Sequence, residues 1–191
     1  MKANREAAPV LLVICDGMGL SVSHQLINDL RAEGWAPAVP ATSQAWPIGV
    51  AALPTVTSAS RTSLFAGRLL DGGQPEERAG FGSHPALRQA SKPDRPPVLF
   101  HKAGLVAANG AALPDEIRAA VADPDQRVIG VVVNSVDDHL ARGDQINVGW
   151  DLASLGPLGW LLAAASEAGR VVVLTADHGH VLDGGQSIAR P

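Results

Sequence analysis

The stretch Val10-Leu11-Leu12-Val13-Ile14-Cys15-Asp16-Gly17-Met18-Gly19 decides the fold. Its first six residues are apolar without alternation, the pattern of a strand covered on both faces of a parallel sheet. The run breaks on Asp-Gly, foremost a turn signal. Three further runs rich in β-branched residues repeat the pattern at 48–53, 128–133 and 171–175. Helical patterns lie between them. Ser21 to Glu33 carries Val22, Leu26, Ile27 and Leu30 on one face, with a serine to cap its start and Gly34 to end it. Thr57 to Leu70 places Leu64, Phe65 and Leu69 on one side. Residues 114–123 open on Pro114-Asp115-Glu116, a favourable first turn, and Leu155 to Ala168 brings Leu158, Leu161 and Leu162. Strands alternating with helices predict an α/β fold, a mostly parallel sheet with helices on both faces.

The chain has 191 residues, 46% hydrophobic and 18% charged, enough apolar side chain for one globular domain over 1–191. Residues 71–97 are expected to form a surface loop insertion, because Gly, Pro, Arg and Ser dominate Asp71-Gly72-Gly73-Gln74-Pro75 and Ser91-Lys92-Pro93-Asp94-Arg95-Pro96-Pro97. The end at Pro191, soon after a strand, reads as a cut, so a core fragment of a larger protein is expected. The net charge of −4 argues against strong non-specific nucleic-acid binding, though not against DNA recruited through a metal. Aromatics at 4%, with no tyrosine, argue against a stacking platform for single strands. The single cysteine, Cys15, excludes an intrachain disulfide and a multi-cysteine zinc site. No apolar run approaches the ~20 residues of a membrane helix, and the start is no signal peptide, so a cytoplasmic protein with no membrane partner is expected.

Four clusters stand just beyond predicted strands, where open α/β sheets place their sites. They are Asp16-Gly17-Met18-Gly19, Thr55-Val56-Thr57-Ser58, Asn134-Ser135-Val136-Asp137-Asp138-His139, and Thr175-Ala176-Asp177-His178-Gly179-His180. Each has a bland alternative. Asp16 alone is a turn residue, Thr57 alone a helix cap, and Asp137-Asp138 a solvated loop. Two histidines and a carboxylate within four residues after a buried strand are harder to dismiss. His24, His84 and His101 have no carboxylate company and are read as structural; Cys15 is read as a buried strand residue. Mixed Asp/His donors suit Zn²⁺ or Mn²⁺, and all-oxygen sites favour Mg²⁺ or Ca²⁺.

Taken in order, these clusters resemble the alkaline phosphatase superfamily. Leu53-Pro54-Thr55-Val56-Thr57-Ser58 through Ser63-Leu64-Phe65-Ala66-Gly67 is similar to the segment around the nucleophilic threonine of its phosphodiesterase branch. Asn134-Ser135-Val136-Asp137, then Gly143-Asp144, then Thr175-Ala176-Asp177-His178-Gly179 resemble the PglZ domain of BREX phage-defence systems. The resemblance runs from about Val10 to Val181. It implies an alkaline-phosphatase-like core, with Thr57 as nucleophile and ligand to one ion alongside Asp16, Asp177 and His178. Asp137 would serve a second ion, with His139 and His180 as partners. Two features depart from the pattern. Ser135 stands four before His139, where the superfamily carries an aspartate, and the superfamily's last histidine would lie beyond residue 191. Either His180 substitutes, or the second ion lacks a ligand. Arg61, one turn after Thr57, also departs from the pattern and is expected to bind a non-bridging phosphate oxygen or to be surface charge.

The implied activity is metal-dependent hydrolysis of a phosphate ester, with one or two divalent ions, zinc first and manganese or magnesium next. Its partners would be a phosphorylated substrate of unknown identity, other BREX defence proteins, and in one alternative DNA. The alternatives are a metal-dependent phosphodiesterase or nuclease, and an interaction module with weak catalysis. A sulfatase is disfavoured, since Cys15 lacks the following proline and arginine of that branch.

Overall fold

The computed structural model describes residues 7–39, 47–101, 105, 113–134, 152 and 155–180. Four strands, β1 (Val10–Cys15), β2 (Val98–Phe100), β3 (Val128–Val133) and β4 (Val171–Thr175), form one parallel sheet in the order β2-β3-β1-β4. Helices α1 (Leu20–Ala32), α2 (Thr57–Ala66), α3 (Gln74–Ser83), α4 (Pro85–Gln89), α5 (Asp115–Ala122) and α6 (Leu158–Glu167) cover it. The molecule is the α/β sandwich that the unbroken apolar runs predict.

Side chains alternate across the sheet. Leu11, Val13 and Cys15 join Ile129, Val131 and Val133 on one face, under α1, α5 and α6 through Leu26, Ile117, Val121, Leu158 and Leu161. On the other face Ile14, Val128, Val132 and Leu99 meet Phe65 of α2 and Phe81 of α3. These two rings pack edge to face with centroids 5.6 Å apart. Helix α3 sits this close because residue 130 is glycine: a Cβ there would lie 2.8 Å from Leu99 Cδ1 and 2.9 Å from Phe81 Cζ. Arg170, buried just before β4, donates to the carbonyls of Ala120, Val121, Asp123 and Gln126. It thereby ties the carbonyl end of α5 to the sheet, with its charge complementing the helix dipole. Among the described residues no helix is long and apolar enough to cross a membrane.

Four local expectations are corrected. Residues 48–53 form no strand, and Ile48 and Val50 are 93% and 95% exposed. A strand needs a hydrogen-bonding partner as well as a β-branched run, and the fourth place in the sheet is taken by the short β2. Residues 71–97 are not a loop: α3 and α4 occupy 74–83 and 85–89. Pro75 and the acidic Glu76 and Glu77 favour the first turn of α3, and the Gly73 amide donates to the Glu76 carboxylate. Helix α2 ends at Gly67, whose φ of 65° takes the left-handed cap, and leaves Leu64 and Leu69 exposed. Its buried face is largely polar (Ser60, Arg61, Thr62 and Ser63, with Ala59 and Phe65). The serines pin neighbouring chain: Ser60 Oγ donates to Ala52 O, and Ser63 Oγ pairs with Leu70. Helix α1 starts at a Gly19 cap with no side-chain cap bond, and Ser23 Oγ turns back onto Leu20 O.

Candidate metal centre

Parallel register gathers the site. Cys15 pairs with Val133 and Ile14 with Thr175, so residues 16, 134 and 177 emerge together at the carboxyl edge of the sheet. The Asp16 amide continues the ladder to Val133 O at 2.9 Å. The chain then turns at Gly17, with φ of 72°, a value glycine adopts without strain. The turns after β1 and β4 touch backbone to backbone: a Cβ on Gly179 would come 2.9 Å from Gly19 Cα. The Asp-Gly-Met-Gly and Asp-His-Gly segments are therefore fitted to each other.

Asp16, Asp177 and His178 are 1%, 3% and 8% exposed, and one ligand atom from each lies within 4.8 Å of the others. His178 Nε2 stands 3.1 Å from Thr57 Oγ1, 3.5 Å from Asp16 Oδ1 and 3.7 Å from Asp177 Oδ2. In a nucleophile–histidine–acid relay the hydroxyl and the carboxylate take opposite ring nitrogens. Here the hydroxyl and both carboxylates meet one nitrogen, which is how donors gather around a shared cation.

The charges agree with that geometry. Asp177 Oδ1 accepts from the amides of Gly17 and His178, but the buried Oδ2 has no hydrogen-bond partner among the described residues. Two buried carboxylates this close repel each other, and an unsatisfied buried oxygen is costly, unless positive charge reaches both. A divalent cation held by Asp16, Asp177 and His178, with the Thr57 hydroxyl beside it, satisfies both demands. The residues fit the group.

Thr57 is half-buried and the first residue of α2; the Ala59 and Ser60 amides bond to Val56 O, and those of Thr57 and Ser58 stand at the helix N-terminus. Arg61 is also on α2 but faces inward. Its Nη1 donates to Asp16 Oδ2 at 2.6 Å and its Nε to Glu77 Oε1 at 2.9 Å. Two of the guanidinium nitrogens thus face carboxylates, and the surface-charge alternative fails because Arg61 is 8% exposed. Asn134 Nδ2 donates to the same Asp16 oxygen at 2.6 Å. Behind Arg61, Glu77 Oε2 meets His101 Nε2 at 2.5 Å. Burial pushes the Glu77 carboxyl up, but the His101 bond and the Arg61 charge outweigh it and hold it below its ordinary 4.5. Cys15, under the site, is pushed up to about 12 by burial and then by the Asp177 charge.

His180 is exposed, with its ring 5.4 Å from that of His178, and stands outside the Asp16–Asp177–His178 group. Asp137 and His139 lie outside the described residues. His101 has the carboxylate company its sequence neighbours lack, supplied by Glu77 from 24 residues away. Sequence reasoning alone does not reach Glu77, whose segment has loop composition, and gives Asn134 no task.

A family model, the BREX system PglZ alkaline phosphatase-like domain, matches residues 2–187. The chain belongs to the PglZ family. No curated protein matches it. As a PglZ domain it is an alkaline phosphatase-like domain of the BREX system. The Asp-Gly and Asp-His-Gly turns of this PglZ domain are the ones the sheet register places side by side.

Proposed function

We propose that this PglZ domain hydrolyses phosphate esters in phage defence, with Thr57 as the nucleophile. Asp16, Asp177, His178 and Thr57 would hold a divalent cation, zinc before manganese or magnesium, since the donors mix carboxylate, imidazole and hydroxyl. The observation that supports this reading best is the convergence of Thr57 Oγ1, Asp16 Oδ1 and Asp177 Oδ2 on His178 Nε2.

When bound, such an ion supplies Lewis-acid polarisation and lowers the pKa of a coordinated hydroxyl. The chain's own residues do the rest. Asp16 and Asp177 are fixed by Arg61, Asn134 and two backbone amides, so the donors need little reorganisation. Thr57 Oγ1 forms a bond to phosphorus while the ester P–O bond breaks and the alcohol leaves. The Thr57 and Ser58 amides, at the start of α2, receive the phosphoryl oxygens. Water then attacks the phosphothreonine, releasing inorganic phosphate and restoring the hydroxyl. Asp137 and His139, with His180, are proposed for a second ion on the family resemblance alone. Other BREX proteins are the proposed partners.

Thr57→Ala tests the reading. Turnover of an aryl phosphate is expected to fall by at least ~10²-fold while metal content is largely kept. Unchanged metal-dependent turnover would remove the threonine from the mechanism. Comparing a monoester, a diester and plasmid DNA as substrates identifies the ester class.

A further inference from the structure

A buried chain of side chains stands behind the Asp16 carboxylate. It runs from His101, just beyond β2, to Glu77 of α3, to Arg61 of α2, to Asp16 at the end of β1. All four are at most 8% exposed. Each link is a short charged or polar contact: 2.5 Å from His101 Nε2 to Glu77 Oε2, 2.9 Å from Arg61 Nε to Glu77 Oε1, and 2.6 Å from Arg61 Nη1 to Asp16 Oδ2.

We infer that Arg61, Glu77 and His101 are positioning residues that set the Asp16 carboxylate for the cation. This rests on Asp16 being a cation ligand. Arg61 and Asn134 both take Oδ2, which fixes the carboxylate plane and turns Oδ1 toward His178 Nε2 at 3.5 Å. An arginine beside a cation site would ordinarily repel the ion. Glu77 answers that by neutralising the guanidinium, so Asp16 and Asp177 keep two negative charges for a divalent ion. His101 occupies the second Glu77 oxygen and leaves the first aimed at Arg61 Nε. Arg61 thus acts on the ion through Asp16.

The test is calorimetric titration of Zn²⁺ and of Mn²⁺ into the metal-stripped full chain, wild type against Glu77→Gln and Arg61→Lys. Aryl phosphate kcat and KM are measured at saturating metal. Glu77→Gln is expected to weaken metal binding by about 10–100-fold. KM for the phosphate is expected to stay within about twofold, because Arg61 does not touch substrate. Arg61→Lys keeps the charge but cannot bridge two carboxylates, and carries the same expectation should Glu77→Gln fail to fold. Wild-type metal affinity in a folded variant would overturn the inference. So would an Arg61→Lys enzyme with raised KM and unchanged metal binding, which would make Arg61 a phosphate clamp. If the wild type itself binds neither ion, the phosphate-ester reading fails before this one is reached.

Discussion

Asp177 gives the residue scale its sharpest consequence. Its Oδ1 has two amide donors, while its buried Oδ2 has no hydrogen-bond partner among the described residues and lies in a group with a second buried carboxylate. Asp177→Asn keeps the Oδ1 acceptor and removes the repulsion. The metal-free variant is expected to melt at or above the wild-type temperature. It should also lose the metal-dependent rise, which for one site amounts to about 2.7 kcal/mol at a hundredfold excess over Kd. A lower metal-free melting temperature with the metal response kept would contradict the assignment. Glu77 makes a prediction in pH. Its carboxyl is held below 4.5, so its charged interactions contribute fully above that value and fade as pH falls through the lower folded value. The stability gap between wild type and Glu77→Gln should be flat from neutral pH down to about 5 and then narrow on further acidification, as denaturant titrations would show. Cys15, pushed up to about 12 and 1% exposed, should resist alkylation at pH 8 until the protein unfolds.

Among these residues, the carboxylate at 16, the hydroxyl at 57 and the Asp-His pair at 177–178 were legible because each directly follows a strand or opens a helix. Chain position marks them as candidates, and the family resemblance supplies their roles, since Asp16 alone reads as a turn and Thr57 alone as a cap. Glu77 and His101 were not legible, since their pairing joins two elements 24 residues apart and neither has a local partner. Arg61 was found one turn from Thr57, but helical spacing gives no means of knowing that two carboxylates wait on its inward side.

At the scale of elements, β1, β3 and β4 fall where the unbroken apolar runs lie, at 10–15, 128–133 and 171–175. Gly34 ends α1 as expected, with Trp35 N–H returning to Leu30 O. The failures share a cause. The 48–53 run has strand composition without strand pairing, and 71–97 has loop composition around a proline-initiated helix that buries Glu77 and Phe81. Composition describes what a segment tolerates; burial against a partner decides what it becomes. Arg170 is a structural element of the same kind. Removing its guanidinium takes a donor from four carbonyls in the last turn of α5 and the segment after it, so Arg170→Met is expected to cost about 2–4 kcal/mol in denaturant unfolding. Metal affinity should be unchanged, since Arg170 bonds to the carbonyls of Ala120, Val121, Asp123 and Gln126 and not to the metal centre among the described residues.

For the molecule as a whole, the parallel sheet accounts for the site. Three loops leave one edge in register, α2 brings the hydroxyl from outside the sheet, and α3 braces α2 from behind with Glu77 and Phe81. The PglZ family match agrees with that architecture over residues 2–187. The most direct test is anomalous diffraction from crystals grown with Zn²⁺ or Mn²⁺. The account predicts a strong peak bonded to Asp16, Asp177 and His178 Nε2 at about 2.0–2.2 Å, with Thr57 Oγ1 facing it. Crystals saturated with either ion but showing no peak there, or density only at exposed histidines such as His180, would contradict it.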